Sequence, residues 1–368
     1  MNKIKYIVWA ASLLIAAEVS AAVNIAVITP LSGEKAETGK EIAFGAEVAV
    51  NEINSKGGLN GEKIHLIKIE DECNDSLAVS TAQMMALNKN QEYKISAVFG
   101  PYCTNQFNKV AETLSKAEIF QIIPTAINKT FAENNYSGLI KMVGYKEQQA
   151  YDFFDFYNKY FNWMNVALIF DKQNTQIAET IIHIFNKNNK LQNIEAINFE
   201  ENDFDYEKIT ENVLNNNHQM AFILGNEQNV ADMARAIKSE KRKFIIFANK
   251  YHVSDDLKKL VNKSNKEFYF MGLPSLKNKP DFAETLVKLR LLGIEPEGLA
   301  VYGYSAVSLW ADLVTKSGSF NYATLAQTFK DIGDESEWKR LMFSGASANN
   351  SINYSIYKLE NDEYTQVH

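Results

Sequence analysis

The chain has 368 residues, of which 46% are hydrophobic, 23% charged and 12% aromatic, with only 17 Gly and 6 Pro. At roughly 100 to 200 residues per domain this length argues for two compact lobes, and the composition excludes disordered, collagenous and low-complexity classes. A formal net charge of −7 lacks the basic footprint of a dedicated nucleic-acid binder.

Lys3 and Lys5 precede an apolar run from Tyr6 to Ala17, and Val19-Ser20-Ala21 offers small residues at the two positions a signal peptidase reads. Residues 1–21 are therefore expected to be a cleavable secretory signal peptide. The alternative is a membrane anchor, but about 12 apolar residues fall short of the roughly 20 needed to span a bilayer. No Cys stands at the cleavage point, so a lipoprotein is not expected. In an exported chain the pair Cys73 and Cys103 reads most simply as one disulfide, the alternative being two buried thiols. The bridge would close a loop of about 31 residues and stabilise the fold by roughly 3.5 to 4 kcal/mol.

From Val23 onward, short Val/Ile-rich runs alternate with longer segments of helical period, which predicts an α/β fold of parallel sheets covered by helices. The expected strands are Asn24–Ile28, Lys63–Ile69, Ile95–Phe99, Ile119–Ile123 and Leu139–Val143, followed by Val166–Phe170, Ile194–Phe199, Met220–Leu224, Phe244–Ala248 and Tyr269–Leu273. A helix is expected over Glu41–Ile53, stopped by Gly57-Gly58, and a long one over Glu297–Ser317, stopped by Gly318. The tail Ile352–Val367 reads as a terminal strand pair.

Familiar catalytic motifs do not occur. The segment Gly33–Glu41 has five residues between its glycines where a phosphate-binding loop needs four, and Ser305 and Ser347 lack the closing glycine of a nucleophile elbow. The histidines at 65, 183, 218, 252 and 368 have no metal-ligand spacing. No cofactor, metal or catalytic residue is therefore expected, and the protein reads as a binder rather than an enzyme. In doubly wound sheets ligands sit at the carboxyl ends of the strands. Three loops qualify: Thr29–Gly33, Gly100–Asn105 and Pro124–Asn128. Thr104 or Asn105 suits the cap of the next helix, whose free N–H groups suit a ligand carboxylate.

At these loops the segments PLSGEKAETG (Pro30–Gly39), NEINSKGGLNG (Asn51–Gly61), IEDECND (Ile69–Asp75) and VFGPYC (Val98–Cys103) resemble the type I periplasmic solute-binding proteins of ABC transporters, closest to the leucine/isoleucine/valine branch. The resemblance implies two doubly wound lobes joined by a three-crossing hinge, a Venus-flytrap of residues 23–142 plus 273–341 and 143–272 plus 342–368. It implies a monomer in the periplasm that captures a small-molecule ligand, an amino acid by likeness, and delivers it to an inner-membrane permease. A sensory receptor subunit of the same fold is the alternative.

Carried over residue by residue, the resemblance places Thr104 at the ligand carboxylate, Thr125 with Ala126 at the ligand ammonium, and Ile127 where the family has Thr. Tyr102 shares the second loop. Thr38 stands at the family's cleft aromatic of the first loop and Thr175 at its second-lobe tyrosine. Lys146 replaces an acid, and none of Asn249, Lys250 and Tyr251 supplies the acid that pairs with the ammonium. Either Glu227 or Glu147 substitutes, or the ligand is not a free α-amino acid. Lys146 or Lys250 facing the cleft would suit a small organic anion; otherwise both are solvated rim residues.

Overall fold

The computed structural model describes residues 22–33, 35–90, 94–102, 107–125, 136–143, 145–200, 204–237, 241–249, 257–259, 266–273, 283–294, 298–332, 354–360 and 363–368. The expected leader, residues 1–21, and the expected third crossing near 341–345 lie outside them.

Two sheets organise the chain. The first contains β1 (Val23–Thr29), β2 (Ile64–Glu70), β3 (Ile95–Phe99), β4 (Phe120–Ile123) and β5 (Leu139–Lys141) in the order β2-β1-β3-β4-β5, all parallel. The second contains β6 (Val166–Asp171), β7 (Ile194–Phe199), β8 (Met220–Leu224), β9 (Ile245–Ala248), β10 (Glu267–Gly272), β11 (Ser355–Glu360) and β12 (Glu363–Gln366). Their order is β12-β11-β10-β9-β8-β6-β7, parallel from β7 to β10 and antiparallel at β11 and β12.

Every residue of β1 is buried, as a central strand covered on both faces must be. Its alternating side chains enter different cores. Val23, Ile25 and Val27 meet Ile42, Ala46 and Trp310, while Ala26 and Ile28 meet Ala78, Ala82, Val110 and Leu114. Helices α1 (Ala36–Ser55) and α9 (Ala300–Ser317) thus cover one face, and α2 (Asp75–Leu87) and α3 (Phe107–Lys116) the other. In the second sheet Phe153 of α4 (Gln148–Tyr160) packs 4.2 Å from Phe222 and 5.0 Å from Phe247 between ring centroids. Phe185 of α5 (Thr175–Lys187) joins this face. On the opposite face Ile209 and Val213 of α6 (Tyr206–Asn215) and Val230 and Met233 of α7 (Glu227–Ala236) pack on Ile169, Ile223 and Ile246.

Helix α1 begins about a turn earlier than its sequence pattern indicates. Gly39 lies inside it as a close-approach residue: a Cβ there would overlap the Pro30 carbonyl. The far end stops where expected, Gly57 and Gly58 taking φ 106° and 90° with the Gly58 N–H on the Ile53 carbonyl at 3.0 Å.

The α1–α9 crossing is a backbone contact, since a Cβ on Gly45 would overlap the Ala300 carbonyl and one on Gly303 the Ile42 carbonyl. Glu52 of α1 ties the same helices. It accepts from the Tyr304 hydroxyl and pairs with Lys56 at 2.5 Å and with Lys288 of α8 (Ala283–Leu291) at 2.9 Å. Burial alone would raise its pKa, but these donors outweigh it and draw the carboxyl down to about 2.

Helix α10 (Tyr322–Asp331) closes the first sheet's β5 side, the Tyr322 hydroxyl accepting from the Gly138 N–H at 3.0 Å. The passages between sheets are stitched on the second-sheet side. The Asp152 carboxylate accepts from the Tyr354 N–H at 2.7 Å, and the Tyr357 hydroxyl donates to the Leu273 carbonyl at 2.7 Å. No helix among the described residues is long and apolar enough to cross a membrane.

Two outcomes follow from the α1–α9 contact. Gly45→Ala, which in an open helix would gain about 1 kcal/mol, is expected to destabilise by roughly 2 kcal/mol because the methyl group meets backbone; a denaturant titration showing stabilisation would refute the close crossing. Glu52 has a lowered folded pKa, so its contribution is fully present above the ordinary Glu range and is lost as pH falls through about 2. Acid unfolding curves of wild type and Glu52→Gln should therefore diverge at neutral pH and converge toward pH 2.

Candidate functional site

The loops leaving β1, β2, β3 and β4 gather at the carboxyl edge of the first sheet. Gly100, at φ 111°, lets the third-strand loop lie against the Ile28 carbonyl, which a Cβ would overlap. Its N–H donates to the Ile122 carbonyl at 2.9 Å and its carbonyl accepts from the Gln121 amide at 2.9 Å. Tyr102, half-buried two residues later, is therefore held by its backbone. Its carbonyl accepts from the Thr125 hydroxyl at 3.3 Å and its phenol hydrogen-bonds the Thr38 side chain in the first turn of α1. Burial pushes the phenol up to about 12, with Glu41 adding to the shift and the Thr38 bond opposing it. The hydroxyl is neutral at any ordinary pH and serves as both donor and acceptor.

Two adjacent acids at the end of β2 are shifted in opposite directions. Burial works against the charge of Glu70, yet the N–H groups of Leu31 (2.9 and 3.0 Å to its two oxygens) and Glu72 (2.7 Å), with the Ser32 hydroxyl, hold its pKa below the ordinary value. Asp71 is fully buried, accepts one bond from the Cys73 N–H at 3.1 Å, and leaves its second oxygen without a partner among the described residues. Burial, reinforced by Glu70, pushes it up to about 6. Glu72 and Cys73 follow with φ 49° and 53°, and Cys73 is disulfide-bonded.

The second sheet's carboxyl edge is an amide network. Asp171, ending β6, accepts from the Asn174 N–H at 3.0 Å and its side-chain amide at 2.8 Å; that amide also reaches the Leu224 carbonyl at 3.3 Å, ending β8. Asn249, after β9, donates to Asn174 at 3.4 Å and keeps a buried Oδ1 without a partner among the described residues. Asn226 and Asn229 form a reciprocal capping box at the start of α7, at 2.9 Å in each direction. Lys146, half-buried in the link between β5 and α4, feels Lys35, just before α1, and Asp75, which opens α2.

Among the residues singled out in sequence, Thr38, Tyr102 and Thr125 are brought together as one bonded cluster. Thr175 opens α5 and donates to the Lys172 carbonyl at 2.9 Å; Glu227 is half-buried in the first turn of α7. Cys103, Thr104, Ala126, Ile127, Lys250 and Tyr251 lie outside the described residues. Sequence reading passed over Asp71, Asp171 and Asn174, and weighed Asn249 only as a position that lacks the family's acid. The signal available for Asp171 was a strand-terminal acid three residues before an Asn, which is a capping pattern.

Residues 22–362 match the periplasmic binding protein family. An amino acid binding protein of Pseudomonas aeruginosa is 26% identical over 318 residues, 84% of this chain and 82% of that protein. Two solved structures share the fold. The branched-chain amino acid transporter substrate binding protein LivJ of Streptococcus pneumoniae, in complex with isoleucine, has a TM-score of 0.73 at 16% identity, covering 94% of this chain and 99% of that one. A solute binding protein of an ABC transporter from R. palustris, in complex with benzoate, has a TM-score of 0.69 at 16% identity, covering 94% and 95%. The two-sheet architecture, the polar groups at the carboxyl ends of the strands and the match over nearly the whole sequence agree: the chain belongs to the periplasmic binding protein family, whose members bind solutes rather than transform them.

Proposed function

We propose that the protein is the exported substrate-binding component of an ABC importer, capturing a small polar metabolite of the amino-acid class between its lobes and delivering it, as a monomer, to a membrane permease. The observation that carries this reading is the Thr38–Tyr102–Thr125 cluster at the carboxyl edge of the first sheet. Hydroxyls and backbone groups on rigid strand ends bind small zwitterions and carboxylates without chemistry. The lobes of this reading are residues 23–142 plus 273–341 and 143–272 plus 342–368, with residues 1–21 removed on export. Thr104, Ala126 and Ile127 complete the first-lobe side of the cleft, and Lys146, Thr175, Glu227, Lys250 and Tyr251 line the second. Closure is a population shift driven by contacts that exist only when both lobes meet the ligand.

A thermal-shift screen of the mature protein against amino acids and small organic acids tests it. A ligand at 100 times its dissociation constant should stabilise by about 2.7 kcal/mol, several degrees for a protein this size, and Tyr102→Ala should abolish the response. A panel that leaves the melting temperature unmoved would reject the reading.

The disulfide of Cys73 is assigned to Cys103, the other cysteine of the sequence. Reduction should then lower stability by roughly 3 to 4 kcal/mol, and a non-reducing digest should yield one peptide pair within a monomer. A disulfide-linked dimer would contradict both the pairing and the monomer.

A further inference from the structure

Lys146 sits in the short link from β5 to α4, half-buried, with Lys35 and Asp75 of the first lobe among the charges that act on it. Among the described residues its ammonium makes no hydrogen bond and no ion pair; Asp75 and the neighbouring Glu147 act on it only at longer range. Two other described lysines of this region are satisfied or solvated. Lys141 donates to the Tyr145 hydroxyl at 3.2 Å, and Lys35 is exposed. Burial, with Lys35 adding to it, lowers the pKa of Lys146, and Glu147 and Asp75 offset this only in part. A desolvated ammonium without a partner is unfavourable and is tolerated where something else completes it.

We propose that Lys146 is the cleft's anion receptor, and that the natural ligand carries net negative charge, with a carboxylate aimed at this ammonium when the lobes close. The inference rests on the cleft being the ligand site, as proposed above, and narrows the ligand class. Closure strips the remaining water from Lys146. A neutral zwitterion leaves the ammonium buried and unpaired, or sets its own ammonium against it, whereas an added carboxylate supplies the missing partner. Two sources of that carboxylate satisfy the geometry: the side chain of an acidic amino acid, or an organic acid that has no ammonium.

The test uses wild type, Lys146→Met and Lys146→Arg, with glutamate, aspartate, succinate, benzoate and leucine as probes at fixed ionic strength, read by thermal shift and calorimetric titration. Wild type should bind at least one of the acids more tightly than leucine. Lys146→Met should weaken that acid by roughly 30-fold or more, Lys146→Arg should retain most of it, and unliganded Lys146→Met should melt no lower than wild type. Response to glutamate or aspartate alone identifies an acidic amino acid, and response to succinate or benzoate an organic acid.

Leucine binding wild type best, with Lys146→Met indifferent, overturns the inference and leaves the amino-acid reading standing. No response to any probe overturns both. Acid affinity unchanged in a folded Lys146→Met also overturns it, and a large drop in the melting temperature of the unliganded variant would show Lys146 to be structural.

Discussion

Everything at the candidate site depends on burying parallel strands on both faces. A strand such as β1, whose seven residues are all buried, has no solvent-facing side on which to place polar groups, and its neighbours can be reached only by helical crossovers. The chain must therefore leave every parallel strand at the same edge of its sheet. Hydroxyls, amides and carboxylates are confined to those exits, and two sheets each with one polar edge make a cleft the natural place for a ligand. Tyr102 shows how firmly the edge is set. Residues from two other segments, Thr38 in the first turn of α1 and Thr125 after β4, converge on it, and neither bond is local in sequence.

That confinement also explains why neighbouring acids behave so differently. Glu70 and Asp71 are adjacent, yet Glu70 receives the Leu31 N–H of the β1 loop and the Glu72 N–H while Asp71 receives that of Cys73 and is otherwise enclosed. The first stays ionised and fixes the loop carrying Leu31 and Ser32. The second is pushed up to about 6, next to a disulfide-bonded cysteine in the left-handed region. Donor supply at a crowded edge, more than exposure alone, decides in which direction each carboxyl is shifted.

Much of the fold was legible in sequence because doubly covered strands are continuous apolar runs: IAVI, ISAVF and MAFIL announce themselves. The start of α1 was not, because Gly39 looks like a breaker until its contact with the Pro30 carbonyl is seen. Of the site, the loops after β1, β3 and β4 could be named from their position behind strands, and Tyr102 and Thr125 with them. The bond between Tyr102 and Thr38 spans distant segments and leaves no local pattern. The second edge was harder for the same reason. Asp171, Asn174 and Asn249 come from two strand exits that become neighbours only through the order β9-β8-β6. Lys146 read somewhat better as a solvated rim residue, since no local pattern reports the burial of a lysine after a turn.

The position of Lys146 also bears on how ligand charge and lobe movement are connected. Strand β5 ends at Lys141 and α4 begins at Gln148, so the link between the sheets is short and Lys146 belongs to it. Asp152, one turn into α4, holds the backbone just before β11, and Tyr357 holds the end of β10. The passages are thus fastened to the second sheet, and in the proposed closure relative movement would concentrate in the few residues on the first-sheet side of these bonds. A ligand shifts a two-state equilibrium only through contacts that differ between the states. Under the proposed closure, a charged group within this link meets that condition more directly than one at the centre of either sheet edge, because its surroundings would change with the angle between the lobes.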